Sequence, residues 1–249
     1  MIDLKLHPEL IAFSTSRGVA HPSGPYDVFN ACHYVGDDPA HVRHCRSKLC
    51  CRLGIEAQQL IIPRQTHSDR VAIIDRIPYP EENLQGVDAL VTALPSVALA
   101  INTADCVPVL LAHPASGIIA AAHCGWRGII NNLLPNTLRA MASLGAKADE
   151  IIAVMGPAIC PACFEVGTEV AQIFAEHFPD TSNIIIEGYE KPHIDLSAAI
   201  VEKLRRLGVP SVNVRPSSEC TMCNPAEFFS ARVLGVKSGR LLTLIAHRH

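Results

Sequence analysis

Short apolar runs, separated by polar turns rich in Gly and Pro, recur along most of the chain. Runs of roughly four to eight apolar residues bounded by turn residues are typical of buried strands. Residues 59–75 predict two strands that flank a turn near residues 66–68. Residues 88–114 predict further strands, with an interruption at residues 103–106.

The segment "GIIAAAHCGWRG" (117–128) predicts another strand, which turns at Gly125. We expect a helix at about 129–144 to follow this turn. Three later apolar runs have the length and the flanking residues of strands. These predicted strands are 151–157, 212–216 and 240–247.

Residues 38–54 predict a helix, because apolar positions recur every three to four residues and both ends have capping residues. Asp38 can cap the first turn, Pro39 suits the first helical position, and Gly54 can end the helix. The predicted apolar stripe consists of Val42, Cys45, Leu49 and Leu53. Two further helices are predicted at 167–178 and at 195–208, the second capped by Asp195 and ended by Gly208.

The predicted strands come in groups, and the helices lie between them at irregular intervals. This order favours an α+β fold with mixed β-sheets over a doubly wound parallel sheet. Hydrophobic residues make up 49% of the 249 residues and aromatic residues only 5%, so the core is expected to be aliphatic. The length by itself allows one large domain or two small ones.

The charge pattern argues against partners that need a basic surface. The formal net charge is -3 and no run of like charges occurs, so we expect no nucleic-acid partner and no anionic membrane surface. The first residues, "MIDLKLHPEL", lack the basic and long apolar regions of a signal peptide. No window reaches the roughly 18 apolar residues of a membrane helix, and a cytoplasmic location is predicted.

Ten cysteines in such a chain favour reduced thiols, metal ligands or catalysis over disulfides. Five of them are expected to act as small hydrophobic side chains. These are Cys32, Cys45, Cys50, Cys51 and Cys124.

Two Cys-x-x-Cys pairs, Cys160/Cys163 and Cys220/Cys223, raise the alternative of a four-cysteine zinc site. The pairs lie 60 residues apart, whereas zinc ribbons usually place them about 15–20 residues apart. We therefore expect these cysteines to be packing residues or neighbours of another site.

His67, Cys106 and His123 share one circumstance: each stands where an apolar strand gives way to a turn. Such positions display functional side chains from a rigid scaffold. Two imidazoles and one thiolate form a zinc ligand set that leaves a fourth position open, as in catalytic zinc sites. Their spacing fits no local finger, so only the fold can bring them together, and a structural role for each histidine stays open.

Five motifs then point to a family. In chain order they are RQTHSDRV, TADCVPVLL, AAHCGWRG, GPAICPACFEVG and CTMCNPAEFFSAR. Together they resemble the purine nucleoside phosphorylase family that was earlier labelled polyphenol oxidase or laccase. The likeness runs from about Phe29 to Ile245.

The resemblance implies that His67, Cys106 and His123 bind a catalytic zinc ion, for which copper could substitute. It also implies one domain over residues 1–249, with a four-layer α/β/β/α arrangement and mixed β-sheets. The implied activities are phosphorolysis of adenosine, inosine and methylthioadenosine, and hydrolytic deamination of adenosine. Purine nucleosides and phosphate would be the partners. Independently of the resemblance, we expect a monomer or weak dimer.

Phosphate recognition calls for arginine, whose planar guanidinium donates paired hydrogen bonds. Arg46 and Arg232 are favoured over Arg64 and Arg127, because they match motif positions of the resembled family. Asp105, directly before Cys106, could transfer a proton, orient a ligand or stabilise its turn.

The chain departs from the usual motifs of that family at three places. Tyr34 stands where a histidine is usual, Cys124 replaces the commoner alanine with little expected consequence, and Cys45 replaces the asparagine before Arg46. If the missing amide orients substrate or phosphate, affinity or substrate choice will differ.

Three alternatives remain at this point. Cys106 could be the nucleophile of a cysteine hydrolase with a histidine base. A copper-dependent polyphenol oxidase would need many histidines, yet the only His-x-His pair is His247-Arg248-His249. A non-catalytic metal-binding module would turn over no nucleoside.

Overall fold

The structure is a computed structural model that describes residues 1–18, 24–26 and 28–248. Within these residues the strands are β1 (Ile2–Asp3), β2 (Leu10–Ser14), β3 (Leu60–Ile61), β4 (Val71–Ile74), β5 (Ala89–Thr92), β6 (Ala98–Thr103), β7 (Val107–His113), β8 (Ile118–Cys124), β9 (Ile152–Met155), β10 (Ile185–Ile186), β11 (His193–Ile194), β12 (Val214–Arg215) and β13 (Leu241–His247). The helices are α1 (Pro39–Leu53), α2 (Trp126–Ile130), α3 (Leu133–Ser143), α4 (Thr168–His177), α5 (Leu196–Arg206) and α6 (Ala231–Leu234).

Two mixed sheets form the centre of the molecule. The five-stranded sheet has the order β1-β2-β13-β6-β3, and the six-stranded sheet has the order β12-β9-β7-β8-β5-β4. Neighbours are antiparallel except for the parallel pairs β3–β6, β4–β5 and β9–β12. The prediction of mixed sheets is confirmed.

Three apolar clusters separate four layers. The first joins α1 to the outer face of the five-stranded sheet, with Leu49 against Ala100 and Leu244. The second lies between the sheets, where Leu99 and Ile101 of β6 share a core with residues of the six-stranded sheet. The third, the largest, packs the outer face of that sheet against α2 to α5. The predicted α/β/β/α arrangement is therefore confirmed, while the domain boundaries 1–249 remain a prediction.

Helix α1 forms where its capping residues predict it. The Asp38 carboxylate accepts the N–H of Ala40 at 2.9 Å, and Gly54 ends the helix in the left-handed conformation with φ 68°. One expectation about this helix is wrong, because Cys51 is exposed on its outer side. The other four cysteines assigned to packing, Cys32, Cys45, Cys50 and Cys124, are buried.

The single helix predicted at 129–144 is wrong. The structure has two helices there, α2 and α3, and Asn131 between them is extended with ψ -158°. Pro135 explains the break, because a proline inside a continuous helix clashes with the carbonyl four residues earlier, here that of Asn131. Pro135 instead lies in the first turn of α3, where a backbone N–H would have no partner within the helix, so its absence costs no hydrogen bond.

The N-terminal strand β2 was not predicted from the pattern. It pairs antiparallel with β13, with Leu10 opposite His247 and Ser14 opposite Thr243. In the part of the chain that the structure describes, none of the helices has the length and apolar content needed to cross a membrane.

Candidate metal centre

One end of the six-stranded sheet gathers the residues of the site. The parallel strands β4 and β5 begin at this end, β8 runs antiparallel to β5 and finishes there, and β7 begins beside it. His67 lies in the turn before β4, Cys106 directly precedes β7, and His123 is the next-to-last residue of β8. Sheet topology therefore joins three segments that are distant in sequence.

The three predicted ligands meet at this edge. One ligand atom from each of His67, Cys106 and His123 lies within 4.8 Å of the other two. The Cys106 Sγ is 3.7 Å from the His67 Nε2. The two imidazole rings meet edge to face, with their centroids 4.7 Å apart.

A fully buried carboxylate, that of Asp88, organises the turn that holds His67. It accepts the backbone N–H groups of three consecutive residues at 2.8–3.1 Å, together with the Ser68 hydroxyl at 2.8 Å. Those three residues are Thr66, His67 and Ser68. His67 has a φ of 61°, in the left-handed region that non-glycine residues avoid. The Asp88 carboxylate thus stabilises a strained turn and fixes where the His67 side chain starts.

The same carboxylate orients His123. The His123 Nδ1 donates to the Asp88 Oδ1 at 2.8 Å, and its backbone N–H donates to the Asp88 carbonyl at 2.8 Å. With Nδ1 protonated, the lone pair of the ring is on Nε2, which is the arrangement that metal-binding histidines adopt with a carboxylate partner.

The charges of this cluster are strongly coupled. Burial lowers the pKa of His123, but the Cys106 thiolate and the Asp88 carboxylate outweigh it and raise the pKa to about 9. Burial raises the pKa of Cys106, but His123 and His67 outweigh it and hold the pKa at about 6. Burial also raises the pKa of Asp88, yet its hydrogen bonds with His123 and the N–H groups bring the pKa below its usual range.

These features fit a divalent cation. Metals bind thiolate and neutral imidazole. Here the thiol ionises readily, and a cation that replaced the Nε2 proton of His123 would leave the tautomer that Asp88 selects. Gly125 leaves room for the cluster: a Cβ at this position would lie 2.8 Å from the His67 Cδ2 and 3.0 Å from the Cys106 Sγ. His67, Cys106 and His123 could therefore hold a metal, as the ligand set predicts.

Asp105 has a structural contact for each carboxylate oxygen. Its Oδ1 accepts the Thr221 hydroxyl at 2.7 Å, and its Oδ2 accepts the backbone N–H of Arg232 at 2.8 Å. Its φ of 82° places it in a strained turn directly before Cys106. Of the three roles considered for Asp105, these contacts support turn stabilisation.

The two predicted phosphate-binding arginines line separate clefts. Arg46 lies in a cavity of about 830 Å³ and donates to the Ala31 carbonyl at 2.9 Å; its Nη2 is 2.8 Å from the His33 Nδ1. Arg232 lies in a cleft of about 360 Å³ beside Trp126, where it stacks over Phe164 and donates to the Glu165 carbonyl at 2.9 Å. The structure does not bring the two guanidinium groups to one cavity.

Tyr34, a departure from the usual motif, has a hydrogen-bond partner two residues before His67. Its hydroxyl donates to the Gln65 Oε1 at 3.2 Å, and the Gln65 Nε2 donates to the Asn102 carbonyl at 2.7 Å. Tyr34 thus helps to fix Gln65, which lies two residues before His67. Cys45, the second departure, places its Sγ 3.4 Å from the His41 Nε2.

Sequence reasoning missed Asp88. A signal was present, because Asp88 is a lone carboxylate at the start of the apolar run Ala89–Thr92. A buried carboxylate is costly unless hydrogen bonds or a charge compensate it, so such a residue marks a position with dedicated partners.

The structure brings the two Cys-x-x-Cys pairs together, although their spacing along the sequence argued against a common site. The sulfur atoms of Cys160, Cys163, Cys220 and Cys223 all lie within 4.8 Å of one another. An isolated parallel bridge between Ala158 and Cys220 joins the two loops, so their separation of 60 residues does not keep the pairs apart.

Among the described residues, the potential metal clusters are this group of four cysteines and the His67–Cys106–His123 group. His247 lies apart from both, with its Nε2 2.9 Å from the Gly117 carbonyl. His249, the other histidine of the terminal pair, lies outside the described residues.

Comparisons with known proteins agree with this architecture. Residues 11–248 match the family model described as multi-copper polyphenol oxidoreductase laccase. YlmD from Geobacillus stearothermophilus is a similar solved structure, with a TM-score of 0.88 and 26% identity over 98% of this chain and 94% of that one.

Two relatives have names that describe reactions. Adenosine deaminase RL5, from an unknown prokaryotic organism, is 43% identical over 240 residues, which cover 93% of this chain and 92% of the relative. A purine nucleoside phosphorylase of Bacteroides thetaiotaomicron is 38% identical over 249 residues, which cover 96% and 92%.

Proposed function

This chain belongs to the family described as multi-copper polyphenol oxidoreductase laccase, and on that premise we propose that it is a zinc-dependent purine nucleoside enzyme. Its membership confirms the resemblance drawn from the five motifs. The proposed reactions are phosphorolysis of adenosine, inosine and methylthioadenosine, and hydrolytic deamination of adenosine.

One observation supports this proposal above the others. Relatives named for two different nucleoside reactions both align with more than nine-tenths of this chain. The alignments therefore extend over most of the fold that carries the candidate ligands. Both names describe enzymes that act on nucleosides. The cluster of His67, Cys106 and His123 could serve as the active centre for both reactions.

The zinc ion would be held by His67, Cys106 and His123. When bound, zinc supplies Lewis-acid chemistry at neutral pH, and a three-residue ligand set leaves a position open to substrate or water. Asp88 keeps the His123 Nδ1 protonated, so that Nε2 is available as a ligand. Asp105 holds the turn before Cys106 and acts as a positioning residue in this proposal.

The two reactions need different second substrates. In phosphorolysis a phosphate oxygen bonds to C1′ of the ribose while the bond to the purine nitrogen breaks, and the purine leaves with that electron pair and takes up a proton. In deamination a water oxygen bonds to C6 and the amino group leaves as ammonia. We propose Arg46 and Arg232 as alternative phosphate-binding residues, because guanidinium pairs well with phosphate oxygens and the two side chains lie in separate cavities.

The test is to incubate zinc-loaded protein with adenosine, with and without phosphate, and to identify the products by chromatography and mass spectrometry. Adenine with ribose 1-phosphate indicates phosphorolysis, and inosine with ammonia indicates deamination. Absence of both products at any metal content, with inosine and methylthioadenosine also unchanged, would contradict the proposal.

A second candidate, a cysteine hydrolase that uses Cys106, is favoured by one observation. The pKa of Cys106 is about 6 because the histidines outweigh its burial, which is the condition of an activated thiol. The two candidates differ in what zinc does: zinc supports the nucleoside reactions, whereas it would block a nucleophilic thiolate.

We also propose a cytoplasmic location and a monomer or weak dimer, with zinc as the native metal and copper as a possible substitute. Size-exclusion chromatography with light scattering, over a range of protein concentrations, tests the oligomeric state. Metal analysis of protein purified without added metal tests the metal.

A further inference from the structure

We propose that Cys160, Cys163, Cys220 and Cys223 bind a second divalent cation of the zinc type, in a closed structural site. This site goes beyond the proposed nucleoside chemistry. It shares no ligand with the cluster of His67, Cys106 and His123.

The distances between the sulfur atoms support a tetrahedral site. Zinc binds thiolate at about 2.3 Å, so the sulfurs of a tetrahedral site lie about 3.8 Å apart. All four sulfurs here lie within 4.8 Å of one another, and Cys163 Sγ and Cys223 Sγ are 3.4 Å apart. A disulfide would need about 2.05 Å. The four thiols are free and already grouped at nearly the required spacing.

The backbone presents the two pairs as matching turns. The Phe164 N–H donates to the Cys160 carbonyl at 3.0 Å, and the Asn224 N–H donates to the Cys220 carbonyl at 3.2 Å. The Ala158 N–H donates to the Glu219 carbonyl at 3.2 Å, and the Thr221 N–H returns a bond to Ala158 at 3.0 Å. These bonds place one turn against the other, so each contributes two thiols to the same space.

Two backbone N–H groups point at one of the sulfurs. The Cys160 N–H lies 3.3 Å from the Cys220 Sγ, and the Cys223 N–H lies 3.4 Å from it. Such donors stabilise a thiolate, the form that binds metal.

The remaining thiols need a cation if all are to ionise. Four thiolates at this spacing repel one another, and a divalent cation at their centre removes that cost. Packing explains the group poorly, because Cys223 is exposed and Cys160 and Cys163 are partly exposed.

The position of the four-cysteine cluster gives it a structural purpose. Residues 157–166 and 216–224, the loops that supply the thiols, contain no helix and no extended strand. Each loop also touches Asp105: the Ile159 N–H donates to its carbonyl at 2.9 Å, and the Thr221 hydroxyl donates to its carboxylate at 2.7 Å. A cation bound by the four cysteines would hold the two loops together and stabilise the turn before Cys106.

The experiment measures zinc per chain by mass spectrometry, in reduced protein purified without chelators. We expect two zinc ions in the parent protein, one in Cys163→Ser/Cys223→Ser and one in His67→Ala/His123→Ala. Cys51→Ser removes an exposed cysteine outside the cluster and should retain two. Cobalt substitution of the His67→Ala/His123→Ala variant should give the intense thiolate-to-cobalt absorption of a tetrathiolate site.

A zinc content unaffected by Cys163→Ser/Cys223→Ser overturns the proposal, as does a Cys163–Cys223 disulfide in the freshly isolated protein. If that variant does not fold, the His67→Ala/His123→Ala protein is titrated with a mercurial reagent in the presence of a zinc indicator. Release of one zinc ion as the four thiols react supports the site, and absence of release contradicts it.

Discussion

The Asp88 Oδ1 lies 2.8 Å from the His123 Nδ1, and the same carboxylate accepts the N–H groups of residues 66–68. One buried side chain therefore sets both the orientation of one candidate ligand and the backbone that presents another. The two histidines are separated by 56 positions in the chain. Because both histidines are held by Asp88, the positions of their side chains depend on the same carboxylate.

Replacing Asp88 by Asn should weaken zinc binding by roughly 10- to 100-fold, the usual effect of losing the carboxylate partner of a metal-bound histidine. The amide cannot accept hydrogen bonds from every donor that now faces the carboxylate, so the melting temperature should fall as well. Competition with a zinc-binding indicator measures the affinity. Asp75→Asn, at an exposed position, serves as the matched control, and equal affinities in the two variants would refute the role of Asp88.

Replacing Gly125 by Ala should disrupt the metal centre while the fold persists. The added methyl would lie 2.8 Å from the His67 ring and 3.0 Å from the Cys106 sulfur, so one ligand must move. Gly24→Ala is the control, since its methyl meets no atom of the described residues within 4 Å. Zinc content and circular dichroism are the readouts, and normal zinc binding by Gly125→Ala would show that the ligands do not converge as described.

Removing the metal should expose a reactive thiolate at Cys106. With a pKa of about 6, roughly nine-tenths of this thiol is ionised at pH 7, against a few per cent for an ordinary cysteine. Alkylation by iodoacetamide, located by peptide mass spectrometry, should therefore rise with pH through an inflection near 6.

Two comparisons accompany this alkylation test. Zinc should protect Cys106, and Cys124 should stay unmodified because burial raises its pKa. An inflection near pH 8.5 in the metal-free protein, typical of a free cysteine, would mean that the histidines do not stabilise the thiolate.

Replacing Arg46 by Lys should impair phosphorolysis more than deamination. Lysine keeps the charge but loses the planar set of donors, and a bidentate contact is typically lost. We expect the KM for phosphate to rise by about tenfold, with adenosine deamination within about twofold of the parent. Steady-state kinetics at varied phosphate measure this. A parallel loss of both reactions would assign Arg46 to the nucleoside instead.

Much of the fold follows from local pattern. The caps at Asp38 and Asp195 and the left-handed Gly54 bound helices that form as predicted, because capping depends on residues a few positions away. The pattern did not predict the break between α2 and α3 at Asn131, although Pro135 indicates it. Strand β2 was also missed, since its place depends on β13 at the far end of the chain.

The sequence by itself determined the types of ligand available and the strand ends that display them, and the motif resemblance grouped His67, Cys106 and His123. Only the tertiary structure identified Asp88 as their common partner and brought four cysteines together. The physical reason is that ligand chemistry belongs to each side chain, whereas a cluster depends on pairing between strands and loops far apart along the chain. In this molecule the edge shared by β4, β5, β7 and β8, and the bridge from Ala158 to Cys220, decide which residues meet.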